Sequence, residues 1–392
     1  MNKYNSRRSF FSKAVLAGGS FAAGTRKANA NPRRKTPAVE LLNVGVVAVR
    51  DYSHLPGIWG PTINQVDTDT WPIGRTTRML ITHCWDRKSE VAEEFAKKYK
   101  CEAVKNYYDM VDKVDAMIFG GFYEVKWWPK LTKPYLEAGI PCHINRPFAY
   151  SMKDARTIVE TARKNNTPIL CTDEREYIQQ AIVGRSKVEE LLREERTIVG
   201  ANGDNSAGNE YPAHGVHGLY FMLAILGLDV ERASLQANGW WNEKTPASPN
   251  PQTWAQITLQ YRGIKIDGAG EQKTPFVASQ LQSGAAGDAS MRIYYGGKSR
   301  CYWDIAHPWT YGERMNRIYY LFFPTVLAMQ RMFETRKMQW SYEYILKKTQ
   351  IFLAGFKSHL EHNGAMYPVD DLPDDWEAPC PYPDWIDESI FK

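Results

Sequence analysis

The chain has 392 residues, 43% of them hydrophobic and 24% charged, a globular composition long enough for two domains with their own cores. Its formal net charge of +5 stems from the first 30 residues, where Lys3, Arg7, Arg8, Lys13, Arg26 and Lys27 face no acid. The remainder is close to neutral, which removes any general argument for binding nucleic acid or an anionic membrane.

Ser6-Arg7-Arg8-Ser9-Phe10-Phe11-Ser12-Lys13, the small-residue stretch Ala14 to Gly24 and Ala28-Asn29-Ala30 read in order as a twin-arginine signal with its cleavage site. Residues 1–30 are therefore expected to engage the twin-arginine translocase and to be removed, leaving a periplasmic or extracellular protein. Residues 31–38 follow as a linker. The later apolar run Tyr319 to Met329 is too short to span a bilayer and contains Pro324, so no membrane attachment is expected after cleavage. The six cysteines show no CxxC pair.

Strand and helix patterns then alternate. Val44–Val49, Arg78–Trp85, Ala116–Phe119, Ile140–Ile144 and Pro168–Cys171 read as strands. Ser89–Tyr99, Lys130–Ala138 and Met152–Asn165 read as helices, and Leu55–Thr77, rich in Pro and Gly, as loop. This order predicts right-handed crossovers and a parallel, Rossmann-like α/β sheet over residues 39–172. From 173 to 366 the pattern changes. Helices are expected at Ile178–Glu195, His214–Leu226, Met315–Phe333 and Ser341–Leu360. Extended segments are expected at Ala233–Trp241, Thr253–Tyr261, Gly263–Gly268 and Met291–Tyr295, giving an α+β domain with a mainly antiparallel open sheet. Residues 367–392 read as an irregular tail rich in Pro and aromatics.

A dinucleotide fold needs G-x-G-x-x-G between its first strand and a helix. Counted from Gly45, the three glycine places hold Ala48, Arg50 and Ser53. Each side chain takes space where a pyrophosphate would lie, although Arg50 can instead offer a guanidinium to a phosphate. Asp86 follows the second strand, where an acid either bonds a ribose hydroxyl, favouring NAD over NADP, or caps the following helix.

Three stretches carry a family resemblance: Asp86-Arg87-Lys88-Ser89-Glu90-Val91-Ala92-Glu93-Glu94-Phe95-Ala96-Lys97-Lys98-Tyr99, Tyr135-Leu136-Glu137-Ala138-Gly139-Ile140-Pro141 leading to Asn145-Arg146-Pro147-Phe148-Ala149, and Gly215-Val216-His217. In these pieces and their order, residues 40 to 365 resemble the Gfo/Idh/MocA family of sugar and polyol oxidoreductases. The resemblance implies a bound NAD or NADP, with Gly120, Gly121, Asn145 and Arg146 joining Ala48, Arg50, Ser53 and Asp86 on the cofactor side. It also implies a small carbohydrate substrate and assembly of a homo-oligomer through the open sheet. The exported glucose–fructose oxidoreductase branch keeps its nucleotide bound through export. Two family motifs are altered: Glu-Lys-Pro is Asn145-Arg146-Pro147, and Asp-x-Gly-x-His is Ala213-His214-Gly215-Val216-His217. Arg146 can hold an oxygen but cannot release a proton near neutrality. His217 keeps the family's catalytic position, and His214 is a second candidate.

Other groups point to ligand chemistry. His214 and His217 with Glu210 offer an alternative metal set. Glu174 and Tyr177 follow a strand whose carboxyl end faces a ligand crevice, and Trp128 offers a flat face to a sugar. The sequence therefore predicts an oxidoreductase acting on a sugar, polyol or glycoside. The alternatives are a non-redox hydrolase, lyase or epimerase of the same fold, and a carbohydrate-binding protein.

Overall fold

The computed structural model describes residues 40–50, 53–64, 77–206, 215–238, 254–283, 289–296, 301–305, 321–380 and 384–391. The export signal, the linker, Glu210 and His214 lie outside the described residues.

The first half is built on β1 (Leu42–Val47), whose sequence Leu-Asn-Val-Gly-Val-Val is buried from Val44 onward. Continuous apolar runs of this kind suit a parallel strand covered on both faces. A π-turn at Leu55–Trp59 and a short helix α1 (Gly60–Asn64) follow it, where the Pro and Gly content predicts loop. Ser53 starts this turn, its Oγ accepting from Leu55 N at 3.1 Å. Next come β2 (Met79–Trp85), α2 (Ser89–Tyr99), β3 (Glu102–Ala103), β4 (Ala116–Phe119), α3 (Trp128–Glu137), β5 (Cys142–Ile144), α4 (Met152–Lys164) and β6 (Ile169–Leu170). All six strands are parallel, in the order β3-β2-β1-β4-β5-β6. Chain direction across the sheet reverses between β1 and β4, which places a crevice above their carboxyl ends.

The second half contains α5 (Gln179–Arg193), β7 (Ile198–Ser206), α6 (Val216–Leu226), β8 (Val230–Asn238), β9 (Trp254–Tyr261), the hairpin β10 (Ile264–Ile266) and β11 (Gly270–Gln272), β12 (Phe276–Ser283), β13 (Met291–Tyr295), β14 (Cys301–Ile305), α7 (Phe323–Thr335), α8 (Tyr342–His362) and β15 (Tyr367–Pro368). Seven of these strands form an open sheet, β14-β13-β7-β12-β9-β8-β15, in which only β7 and β12 run parallel. The tail is more ordered than its composition suggests. Beyond β15 it bridges Glu377 to Ser151 and forms a single helical turn at Glu388–Phe391. None of the described helices is long and apolar enough to cross a membrane.

One hydrophobic core reaches across both sheets, and α8 ties them with a buried ion pair. Lys348 Nζ meets both carboxylate oxygens of Glu176 at 3.0 and 2.9 Å and donates to Cys171 O at 3.0 Å. Burial still holds the Glu176 carboxyl above its usual range. Removing one member of such a pair leaves the other charge stranded. Lys348→Met is expected to cost about 3–5 kcal/mol, and adding Glu176→Gln to recover at least half of it; denaturant midpoints of the three proteins check this.

His143 on β5 is fully buried against the edge of Trp59, 5.0 Å between ring centroids. Neither ring nitrogen has a hydrogen-bond partner among the described residues, and burial lowers its pKa to about 3. The unfolded chain thus takes up a proton below about pH 6.5 that the folded chain refuses, so stability falls as pH falls. At pH 5 the loss from this group is about 2 kcal/mol, and His143→Leu should remove that part of the slope in a stability–pH profile.

Candidate active site

Arg146 leaves β5 at the carboxyl edge of the parallel sheet and is 1% exposed. Its Nε lies 3.2 Å from Asp173 Oδ2, and its Nη2 lies 3.2 Å from His217 Nε2 and 3.4 Å from His54 Nε2. The guanidinium also stacks over Phe122 at 4.5 Å. His217 comes from the first turn of α6, and its Nδ1 is 2.5 Å from the same Asp173 oxygen. Because a guanidinium only donates, His217 Nε2 accepts from it, and the ring proton sits on Nδ1 facing Asp173.

Asp173 is held from several sides. Its Oδ1 accepts from Arg175 N at 2.9 Å, and its own N donates to Glu176 Oε2 at 2.8 Å, a reciprocal cap that the Lys348 pair anchors. Glu174 completes the group, with Oε1 at 3.0 Å from Arg175 Nη1, 3.8 Å from His217 Nδ1 and 3.9 Å from Arg146 Nη2. Arg175 in turn reaches Asn205 at 2.9 Å.

Asp173, Glu174 and His217 have the residue types and mutual distances of a metal set. The Arg146 guanidinium stands among them and already supplies the cation, so the site does not fit a metal ion. Two residues of the alternative metal set, His214 and Glu210, lie outside the described residues.

Along the crevice, Ala48 takes the left-handed conformation (φ 64°) that the first glycine of a dinucleotide loop provides. Asp86 follows β2 and accepts from Val49 N and Lys88 N, each at 3.1 Å, with Arg50 Nε at 3.7 Å. Burial raises its pKa. Its carboxylate thus ties the turn that leads into α2 to the loop after β1. Gly121 is required where it stands: a Cβ there would lie 2.8 Å from the Ala48 methyl and 1.8 Å from a Glu124 oxygen. Asn145 donates to Gly120 O at 2.8 Å and accepts from Arg146 N at 3.0 Å, so its amide fastens the ends of β4 and β5 together. The frame of a Rossmann dinucleotide crevice is present: the strand order, the left-handed Ala48, the close approach at Gly121, and Asp86 with Arg50 beside it. Within that frame the indole of Trp385, from the chain's own tail, lies over Arg50 and Arg87.

The structure brings Arg146, His217 and Glu174 together and places Asn145, Gly120 and Gly121 beside them. Trp128 is not a sugar platform. It is fully buried at the start of α3 with its ring edge-on to Phe119 at 5.6 Å, because the first turn of α3 points inward rather than into the crevice. Tyr177 is half-buried one turn beyond Glu174, and burial pushes its hydroxyl pKa far up. Two central groups escape a reading of the sequence by motif. Asp173 stands immediately before Glu174 and His54 immediately after the third glycine place. Strand-end position was the available signal for Asp173; His54, well beyond the end of β1, carried none.

Residues 66–172 match the family model described as the GFO_IDH_MocA oxidoreductase family, NAD-binding Rossmann fold. No curated protein matches the chain. Among solved structures, a probable dehydrogenase from Thermotoga maritima superposes with a TM-score of 0.60 at 14% identity, covering 85% of this chain and 100% of that one. The myo-inositol 2-dehydrogenase of Lactobacillus plantarum gives 0.60 at 13%, over 84% and 99%. An oxidoreductase from Agrobacterium radiobacter, in complex with NAD+, L-tartaric acid and magnesium, gives 0.58 at 13%, over 85% and 99%. At these identities the superpositions show the fold, and the family model adds the nucleotide half. Residues 66–172 thus match that family's NAD-binding Rossmann model, and the fold as a whole, open sheet included, is the one these solved oxidoreductases share.

Proposed function

We propose that this chain is an exported oxidoreductase that uses a nicotinamide dinucleotide to oxidise or reduce a hydroxyl-bearing carbon of a sugar, polyol or glycoside. The observation that carries this reading is the Asp173–His217–Arg146 array at the carboxyl edge of the Rossmann sheet. The similarity to a myo-inositol dehydrogenase supports a polyol-like substrate, and the twin-arginine pattern supports export. Self-assembly through the open sheet is part of the same proposal. Trp254, Val277, Leu281 and Tyr302 are exposed there, and their strand register puts them on one face.

A nicotinamide, when bound, accepts or returns the hydride. Arg50 would meet its phosphates. Arg146 binds the substrate oxygen through Nη2 and stabilises the charge that builds on it, without exchanging a proton. That oxygen enters where Arg146 Nη2 now touches His217 Nε2, so the same nitrogen takes the hydroxyl proton. Asp173, bonded to Nδ1, orients the ring and offsets the charge of the imidazolium. His54, at the same Nη2, helps fix the guanidinium's plane.

Protein exported with its signal intact should release NAD or NADP on denaturation, detected by mass spectrometry, and should turn over at least one polyol or glycoside in a screen. His217→Gln and Asp173→Asn should each lower kcat by about 100-fold or more while the protein stays folded. Turnover with neither nucleotide bound nor nucleotide required would overturn the redox reading.

A further inference from the structure

The segment Asp384–Phe391 runs along the carboxyl edge of the parallel sheet and is fastened at Ile386, Glu388 and Phe391. Ile386 is buried. Glu388 accepts from Trp127 Nε1 at 3.3 Å and pairs with Lys130 at 2.9 Å. Phe391 meets Tyr107 edge-on at 5.5 Å. Just ahead of these anchors Trp385 turns inward. Its ring lies 4.1 Å from the guanidinium carbon of Arg87 and 4.9 Å from that of Arg50, with Tyr123 edge-on at 5.1 Å. The indole Nε1 donates to Glu124 Oε1 at 2.6 Å.

These contacts come from three separate loops. Arg50 follows β1, Arg87 follows β2, and Tyr123 and Glu124 follow β4. In an open parallel sheet those loops wall the ligand crevice at the switch point. The indole is a flat bicycle held by cation–π contacts and one ring N–H, and a purine would satisfy the same wall. Arg50, standing at the second glycine place, has its charge beneath the indole and beside Asp86. Two flat rings cannot share that space.

We propose, resting on the nucleotide-dependent reading above, that Trp385 is a built-in occupant of the adenosine end of the crevice, and that a nicotinamide dinucleotide enters as the C-terminal segment withdraws. Tail and nucleotide then compete, and the anchors at Glu388 and Phe391 set how strongly the tail resists. Glu124, its carboxyl raised to about 7 by burial, fixes the rotation of the indole and becomes free to meet a different donor once the ring leaves.

The test compares the mature chain, Trp385→Ala and a chain ending at Cys380, each stripped of nucleotide and shown folded by thermal denaturation. Titration calorimetry with NAD+ and NADP+ gives affinities, and hydrogen exchange follows residues 384–391. Trp385→Ala and the truncated chain are expected to bind at least about 10-fold more tightly. Nucleotide added to the mature chain should speed exchange in 384–391. Equal affinities with unchanged tail exchange overturn the occupant and leave the redox reading standing. Weaker binding by Trp385→Ala makes the indole a stacking partner of the nucleotide and overturns its competition. No binding by any of the three folded proteins overturns both.

Discussion

Burial of one guanidinium organises this molecule. Arg146 is almost entirely removed from water, and a charge in that position persists only where neighbours replace its hydration. Asp173 and His217 face it at hydrogen-bond range, His54 lies slightly farther off, and Phe122 covers its face. Each neighbour comes from a different place in the chain: the turn after β6, the start of α6, the loop after β1 and the loop after β4. The two halves of the protein therefore meet around a shared electrostatic requirement as well as an apolar core. Lys348 repeats the device one layer deeper, where it holds the turn that presents Asp173.

At the place where the family that the sequence resembles carries a lysine, this chain has Arg146, and the surrounding contacts suit that change. Arginine in the lysine position adds a planar, permanently charged fork. The acid that such a fork needs is supplied by Asp173 from the strand-end turn. Under the proposed function the chemistry is then divided, with the Arg146 guanidinium for charge and the His217 imidazole, oriented by Asp173, for the proton.

The parallel half was legible because its strands are apolar throughout and its helices carry clear polar faces. The helix Ser89–Tyr99 and the strand Ala116–Phe119 stand where the pattern puts them. The open sheet was harder to read. β7, Ile-Val-Gly-Ala-Asn-Gly-Asp-Asn-Ser, and β12, Phe-Val-Ala-Ser-Gln-Leu-Gln-Ser, show too many polar residues for a strand signature. They pair because a face turned away from the core tolerates Asn202 and Ser279; on the other edge of β7, Gly203 lets the backbone of Ser290 come close. At the site, Arg146, His217 and Glu174 could be named from motif and strand-end position. Asp173 and His54 could not be ranked, since their importance arises from packing between segments far apart in sequence. Trp128 misled for a similar reason: sequence fixes its place on α3 but not the direction of that helix's first turn.

Asn145 has a wider implication. Its side-chain amide bridges the carboxyl ends of β4 and β5 through Gly120 O and Arg146 N. A ligand-binding residue at that place would make the gap between those strand ends depend on what is bound. Here the protein sets the gap itself, so the mouth is dimensioned before any guest arrives, and selection among guests falls to shape and charge rather than to how far the walls can part.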